Sequence, residues 1–144
     1  MGKKYITLWN IINRTCKRSP EKSKEKYYKN ILSNISSWSK KNGIDKDLLL
    51  VLVRRKIGTK CPYCDTTMTA KKGNTKISYE HKKPIARGGK RTIENLQFTC
   101  TRCNRRKGIL TDQEYKNLLN YLSSMKKEAR KYILKQLSMH NYWG

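Results

Sequence analysis

Residues 77–107, ISYEHKKPIARGGKRTIENLQFTCTRCNRRK, set Glu80-His81, Pro84, Gly88-Gly89, Asn95-Leu96, Cys103-Asn104 and Lys107 within one short span. Upstream lies Cys61-Pro62-Tyr63-Cys64, and the stretch itself holds a second Cys-x-x-Cys pair, Cys100 and Cys103. Such a turn presents two sulfurs close enough to share an ion, so two turns supply the four soft ligands of a tetrahedral zinc site. Thirty-five residues separate Cys64 from Cys100, which leaves room for a hairpin and a loop between the knuckles. Four sulfurs leave no open coordination position, so Zn²⁺ held by Cys61, Cys64, Cys100 and Cys103 is expected to be structural. Free buried thiols or redox pairs are the competing reading, and the paired spacing disfavours it.

Between the knuckles, Thr66 to Ala70 and Lys76 to His81 read as two strands around a Lys71-Lys72-Gly73-Asn74 turn. Pro84, Gly88 and Gly89 make Lys83 to Thr92 a loop with unusual backbone angles, Leu96 to Thr99 a returning strand, and Thr101 to Lys107 a short helix.

On the N-terminal side, helix is favoured over strand for Tyr5 to Asn13. A second helix begins at Ser19-Pro20, carries Tyr28, Ile31, Leu32, Ile35 and Trp38 at helical spacing, and stops at Gly43. Tyr27, Tyr28 and Trp38 read as core aromatics. A third helix starts at Asp45, with Leu48 to Val53 as an almost wholly buried middle, and ends near Gly58. On the C-terminal side, Thr111 and Glu114 form a capping box, and Tyr115, Leu118, Leu119, Leu122, Met125, Ala129, Tyr132 and Ile133 hold the helical period, predicting one long helix. Its apolar stripe fits packing on the rest of the chain or a dimer seam, so monomer and homodimer both stand.

The 144 residues suit one compact unit and carry 34 Lys and Arg against 10 Asp and Glu, a formal net charge of +24. The excess is uneven: 15 basic against 4 acidic in residues 1–57, 13 against 3 in 58–108, and 6 against 3 in 109–144. A surface needed only for solubility has no use for so one-sided a charge, and nucleic acid is the expected partner. No stretch approaches the ~20 apolar residues of a membrane span, and Met1-Gly2-Lys3-Lys4-Tyr5 lacks a secretory-signal pattern. Five cysteines, of which Cys16 is a spare with the character of a buried hydrophobe, fit a reducing intracellular compartment.

The central stretch resembles the HNH endonucleases of the ββα-metal fold, in which a hairpin and a helix grip one divalent cation. His81 matches the first His of the family name, Asn95 the middle Asn, and Asn104 the third position, where members carry His or Asn. Pro84, Gly88-Gly89, Asn95-Leu96 and the run Cys-x-x-Cys-Asn-x-x-Lys resemble the zinc-containing branch. The resemblance covers about residues 58–110 and leaves residues 1–57 without a counterpart. It implies a small ββα-metal core braced by the four-cysteine zinc site; with the basic helical region read at 1–57 and the long C-terminal helix read within 111–144, the expected fold is α+β.

It also implies hydrolysis of DNA phosphodiesters to 5′-phosphate and 3′-hydroxyl ends. The residue chemistry agrees. A neutral imidazole with an ordinary pKa of about 6.5 can take a proton from water, which makes His81 the expected general base. Glu80 and Asn104 offer the hard oxygens that Mg²⁺ or Mn²⁺ accepts. By resemblance, Asn95 hydrogen-bonds within the loop to hold the His81 backbone. Lys82, Arg87, Arg105 and Lys107 are candidate phosphate contacts.

The family more often has Asp or His where this chain has Glu80, whose extra methylene changes the carboxylate's reach. A non-cleaving, zinc-stabilised nucleic-acid-binding module is therefore the alternative, and an RNA-directed nuclease a third. A small, Lys-rich, stand-alone module suits a phage-, virus- or mobile-element-encoded protein acting in a host cell. Double-stranded DNA is the expected substrate.

Overall fold

The computed structural model describes residues 7–139, so the expected start of the first helix at Tyr5 and Ile6 lies outside the described residues. Thr7 caps α1 (Leu8–Thr15), its hydroxyl accepting from the Asn10 N–H at 3.2 Å. Leu8, Ile11 and Ile12 recur at helical spacing and are buried on one side. The second helix, α2 (Glu21–Asn42), has Pro20 at its cap, one residue later than the sequence suggested. It stops at Gly43, whose φ of 63° is the left-handed conformation a side chain disfavours.

Asp45 caps α3 (Lys46–Lys56) by accepting from the Leu48 N–H at 2.8 Å. The run Leu48 to Val53 is not wholly buried. Leu49 and Val53 are, whereas Leu48 is 45% exposed, because a helix with solvent on one side buries only a stripe.

The sheet has two antiparallel strands, β1 (Ile77–His81) and β2 (Leu96–Cys100), in the register Glu80 opposite Gln97 and His81 opposite Leu96. The expected partner of β1, Thr66 to Ala70, forms only isolated bridges, Lys60 with Thr67 and Thr69 with Lys76. The hairpin is therefore β1 and β2 closed by the Lys82–Asn95 loop, whereas the Lys71–Asn74 turn closes only an irregular knuckle. Straight out of β2 runs α4 (Thr101–Lys107), with Cys100 as its cap.

The expected long C-terminal helix is two, α5 (Asp112–Ser123) and α6 (Lys127–Met139). At the break, the Ser123 hydroxyl donates to the Asn120 carbonyl at 2.6 Å and the Ser124 hydroxyl to that of Tyr121 at 2.7 Å. Serine hydroxyls that bond nearby carbonyls compete with the helical ladder. The helix α6 turns back onto α4, where Arg106 Nε donates to the Leu134 carbonyl at 3.1 Å and to Ser138 Oγ at 2.7 Å. The predicted capping box at Thr111 and Glu114 is present.

Buried side chains from α1, α2 and α3 join those of both strands and Tyr115 of α5 in one hydrophobic cluster. Ile31, Ile35, Leu49 and Val53 are fully enclosed, as are Met68 and, in β1, Ile77. The sheet thus stands between the N-terminal helices on one side and α4 on the other. The architecture is α+β. No helix among the described residues is long and apolar enough to cross a membrane.

Candidate active site

Side chains on a strand alternate between faces, and β1 uses both. Ser78 and Glu80 look toward α4: the Asn104 amide donates to Ser78 Oγ at 2.6 Å, and Lys107 Nζ lies 3.8 Å from Glu80 Oε2. Tyr79 and His81 look toward α2, where the Trp38 ring lies 5.6 Å from that of Tyr79 and 4.9 Å from that of His81. The two faces meet at the end of β1 in a cleft of about 330 Å³, lined among others by Asn42, Glu80, His81, Arg91, Asn104 and Lys107.

His81 is half-buried, and Nε2 lies 2.8 Å from Asn42 Oδ1. Burial, then the cationic Arg91, Lys41 and Lys107, hold its pKa below the ordinary imidazole value. It is therefore neutral at neutral pH, the form that can accept a proton.

Glu80 is 5% exposed. Its Oε1 accepts from Gln97 Nε2 at 3.1 Å and from the Tyr63 hydroxyl at 3.2 Å. That hydroxyl also bonds Asp112 Oδ1 at 2.7 Å. Burial pushes the Glu80 carboxyl up to about 7 against the pull of the Lys107 ammonium. The Glu80 carboxylate and the Asn104 carboxamide line the same cleft, and their oxygens are of the hard kind that a divalent cation completed by water and substrate oxygens accepts.

Asn95 stands at the base of the loop that follows His81. Its Oδ1 accepts from the Lys83 N–H at 2.9 Å, and its Nδ2 donates to the carbonyls of Lys83 and Lys90, each at 2.9 Å. The Lys82 N–H adds a bond to the Asn95 carbonyl at 2.8 Å. One carboxamide thus ties both ends of the loop to the residues immediately after His81.

The expected phosphate contacts divide. Lys82 and Arg105 are exposed. Arg87 is exposed but paired with Glu114 of the α5 cap. Lys107 departs from the expectation: it is 1% exposed and donates to the His81 carbonyl at 3.1 Å, so its ammonium serves the interior beneath the cleft. Arg91 and Lys41, which the sequence did not single out, also line the cleft.

The sulfurs of Cys61, Cys64, Cys100 and Cys103 all lie within 4.8 Å of one another, with Cys64 and Cys100 3.7 Å apart. Zn–S bonds of ~2.3 Å in a tetrahedron require sulfurs ~3.8 Å apart, so the quartet fits one zinc ion. Donation from the Cys100 and Cys103 thiols pulls Cys61 far below the ordinary thiol range, while the same contacts drive Cys103 up. Without a dication, only part of the quartet can ionise. Backbone donors already point at the sulfurs: Cys100 N–H to Cys61 and Cys103 N–H to Cys100, both at 3.4 Å.

Residues 61–109 match the model of the HNH endonuclease family. This segment is an HNH endonuclease domain. Searches of curated proteins and of solved structures found no match to the chain.

The HNH domain therefore spans both Cys-x-x-Cys knuckles, both strands and α4, and ends just before α5. Several residues of the cleft and of the hydrogen bonds around Glu80 escaped the sequence reading. Trp38 and Asn42 come from α2, outside the matched segment, and Trp38 read only as core. Gln97, opposite Glu80 on β2, and Asp112, the first residue of α5, were not singled out in the sequence. Tyr63 carried a faint signal, since a residue inside a knuckle is held beside the frame.

Proposed function

We propose that the protein is a metal-dependent endonuclease that hydrolyses DNA phosphodiesters to 5′-phosphate and 3′-hydroxyl ends. The observation that carries this reading is the convergence of a neutral His81 with Glu80 and Asn104 in one cationic cleft of an HNH domain. His81 acts as general base. The oxygen of a water molecule bonds to phosphorus as its proton passes to the imidazole, the bond from phosphorus to the 3′ oxygen breaks, and solvent protonates the leaving oxygen.

Glu80 and Asn104 would hold Mg²⁺ or Mn²⁺. Such an ion, when bound, neutralises charge on the phosphate and at the leaving oxygen. Asn95 keeps the chain after His81 in place through its bonds to Lys83 and Lys90. Arg91 and Lys41 supply positive charge at the cleft mouth, and Lys82 and Arg105 extend it along the surface. The four cysteines would hold a structural zinc that joins the first knuckle to the start of α4.

A specific observation favours a second reading, a module that binds nucleic acid without cutting it: the Glu80 carboxylate is already engaged by Tyr63, Gln97 and Lys107. Supercoiled plasmid separates the two. Wild-type protein with Mg²⁺ or Mn²⁺ should convert it to relaxed and linear forms, and EDTA or His81→Ala should abolish conversion while the circular dichroism spectrum stays unchanged. The binding reading wins if wild type retards the plasmid in a gel yet cleaves neither DNA nor RNA with Mg²⁺, Mn²⁺, Ni²⁺ or Zn²⁺. Matched DNA and RNA duplexes in the same assay identify the substrate.

A further inference from the structure

We propose that Asn42 fixes the tautomer of His81, holding a proton on Nε2 so that Nδ1 is the nitrogen that takes the proton from water. This rests on the reading of His81 as general base. Asn42 is the last residue of α2 and is 4% exposed. Its Nδ2 donates to the Trp38 carbonyl at 3.1 Å, and its Oδ1 lies 2.8 Å from His81 Nε2. Turning the carboxamide over would set its oxygen against the Trp38 carbonyl, so the acceptor end faces the imidazole.

An acceptor at hydrogen-bond distance requires a hydrogen on Nε2. A neutral imidazole carries only one, and Nδ1 is left with the lone pair. The Trp38 ring, 4.9 Å away at 33° to the imidazole, packs against the His81 ring and opposes its rotation. When Nδ1 gains its proton, the Nε2–H bond to Asn42 survives and strengthens, because a charged donor makes the stronger hydrogen bond.

Asn42 is thus a positioning residue, and it lies outside residues 61–109 that carry the family match. The base of this HNH domain is oriented by a helix the domain does not contain. That gives α2 a role beyond carrying positive charge.

The test is nitrogen NMR of the full-length chain labelled with ¹⁵N-histidine, at a pH where His81 is neutral. The sequence has two histidines, and His140→Gln assigns the signals. Wild type should show a protonated Nε2 and an unprotonated Nδ1, with the Nε2 hydrogen slow to exchange. In Asn42→Leu that protection should vanish, and kcat for plasmid nicking should fall about tenfold with KM little changed. A hydrogen on Nδ1 in wild type overturns the proposal, as does unchanged Nε2 protection in Asn42→Leu. The spectra report on Asn42 even if the chain cuts nothing, whereas nicking that survives His81→Ala would overturn the nuclease mechanism and leave the tautomer assignment standing.

Discussion

Lys107 joins the chemistry of the cleft to the stability of the chain. Its ammonium, 2% exposed, lies 3.8 Å from a carboxylate that is 5% exposed, and it also donates to the carbonyl of His81. Burial lowers the pKa of Lys107 while Glu80 opposes that shift, and burial raises Glu80 while Lys107 opposes it, so each offsets part of the cost of burying the other. Removing one member strands the other, at a cost of order ~3 kcal/mol for a buried pair. Lys107→Met should therefore lower the urea midpoint markedly. In the double variant Lys107→Met with Glu80→Gln, the loss should be smaller than the sum of the single losses by at least ~1 kcal/mol. Strict additivity in equilibrium urea unfolding would mean that the pair is not coupled. In the sequence Lys107 is one basic residue among many; its burial follows from the helical turn that sets it three residues beyond Asn104, facing β1, and a charge count carries no such direction.

At the scale of elements, the loop between the strands is closed by the Asn95 carboxamide and by a tight backbone approach at Gly89. Gly88 has a φ of 84°, but an added Cβ there would meet nothing nearer than Lys83 Nζ at 4.0 Å. At Gly89 a Cβ would fall 1.8 Å from the Lys83 carbonyl oxygen and 2.9 Å from that of Pro84, and backbone cannot give way as a flexible side chain would. Gly88→Asn should therefore cost under ~1 kcal/mol, since Asn tolerates the left-handed region. Gly89→Ala should cost ~1–3 kcal/mol or more, in the range of overpacking. Thermal melts of the two variants decide this, and equal melting temperatures would count against the tight turn. The loop's glycines and the cysteine frame were legible because fixed spacing reports on local chemistry, whereas the hydrogen-bonding role of Asn95 came only from the family resemblance. Strand pairing was not. Thr66 to Ala70 alternates well enough for a strand and is followed by a turn-like Lys71–Asn74, yet β1 takes its partner from beyond a longer loop, a pairing that brings Cys100 beside Cys61 and buries Leu96 and Phe98 in the shared core. Helical period likewise continues through Leu122 and Met125, so it cannot register a break made by two serine hydroxyls.

Over the whole molecule, one hydrophobic cluster runs from α1 to Tyr115, and the cysteine quartet lies within it: Cys61, Cys100 and Cys103 are all buried. The contact of His81 with Asn42 spans 39 residues of sequence, which is why the α2 side of the cleft could not be read along the chain. It also means that the cleft exists only while helices and sheet share their core. Zinc is expected to hold that core together. Structural zinc sites in small domains contribute an apparent ~10–16 kcal/mol at neutral pH, comparable to or above the ~5–15 kcal/mol of a typical net stability. The purified chain should accordingly contain about one zinc per molecule by atomic emission. Its urea transition should coincide when followed by tryptophan fluorescence and by far-UV circular dichroism, as one cooperative unit requires. Chelation under reducing conditions should abolish that transition, and Cys64→Ala should shift it to much lower urea. A chain stripped of zinc that kept the same midpoint by both probes would remove the metal from the stability of the fold and leave the four sulfurs as neighbours only.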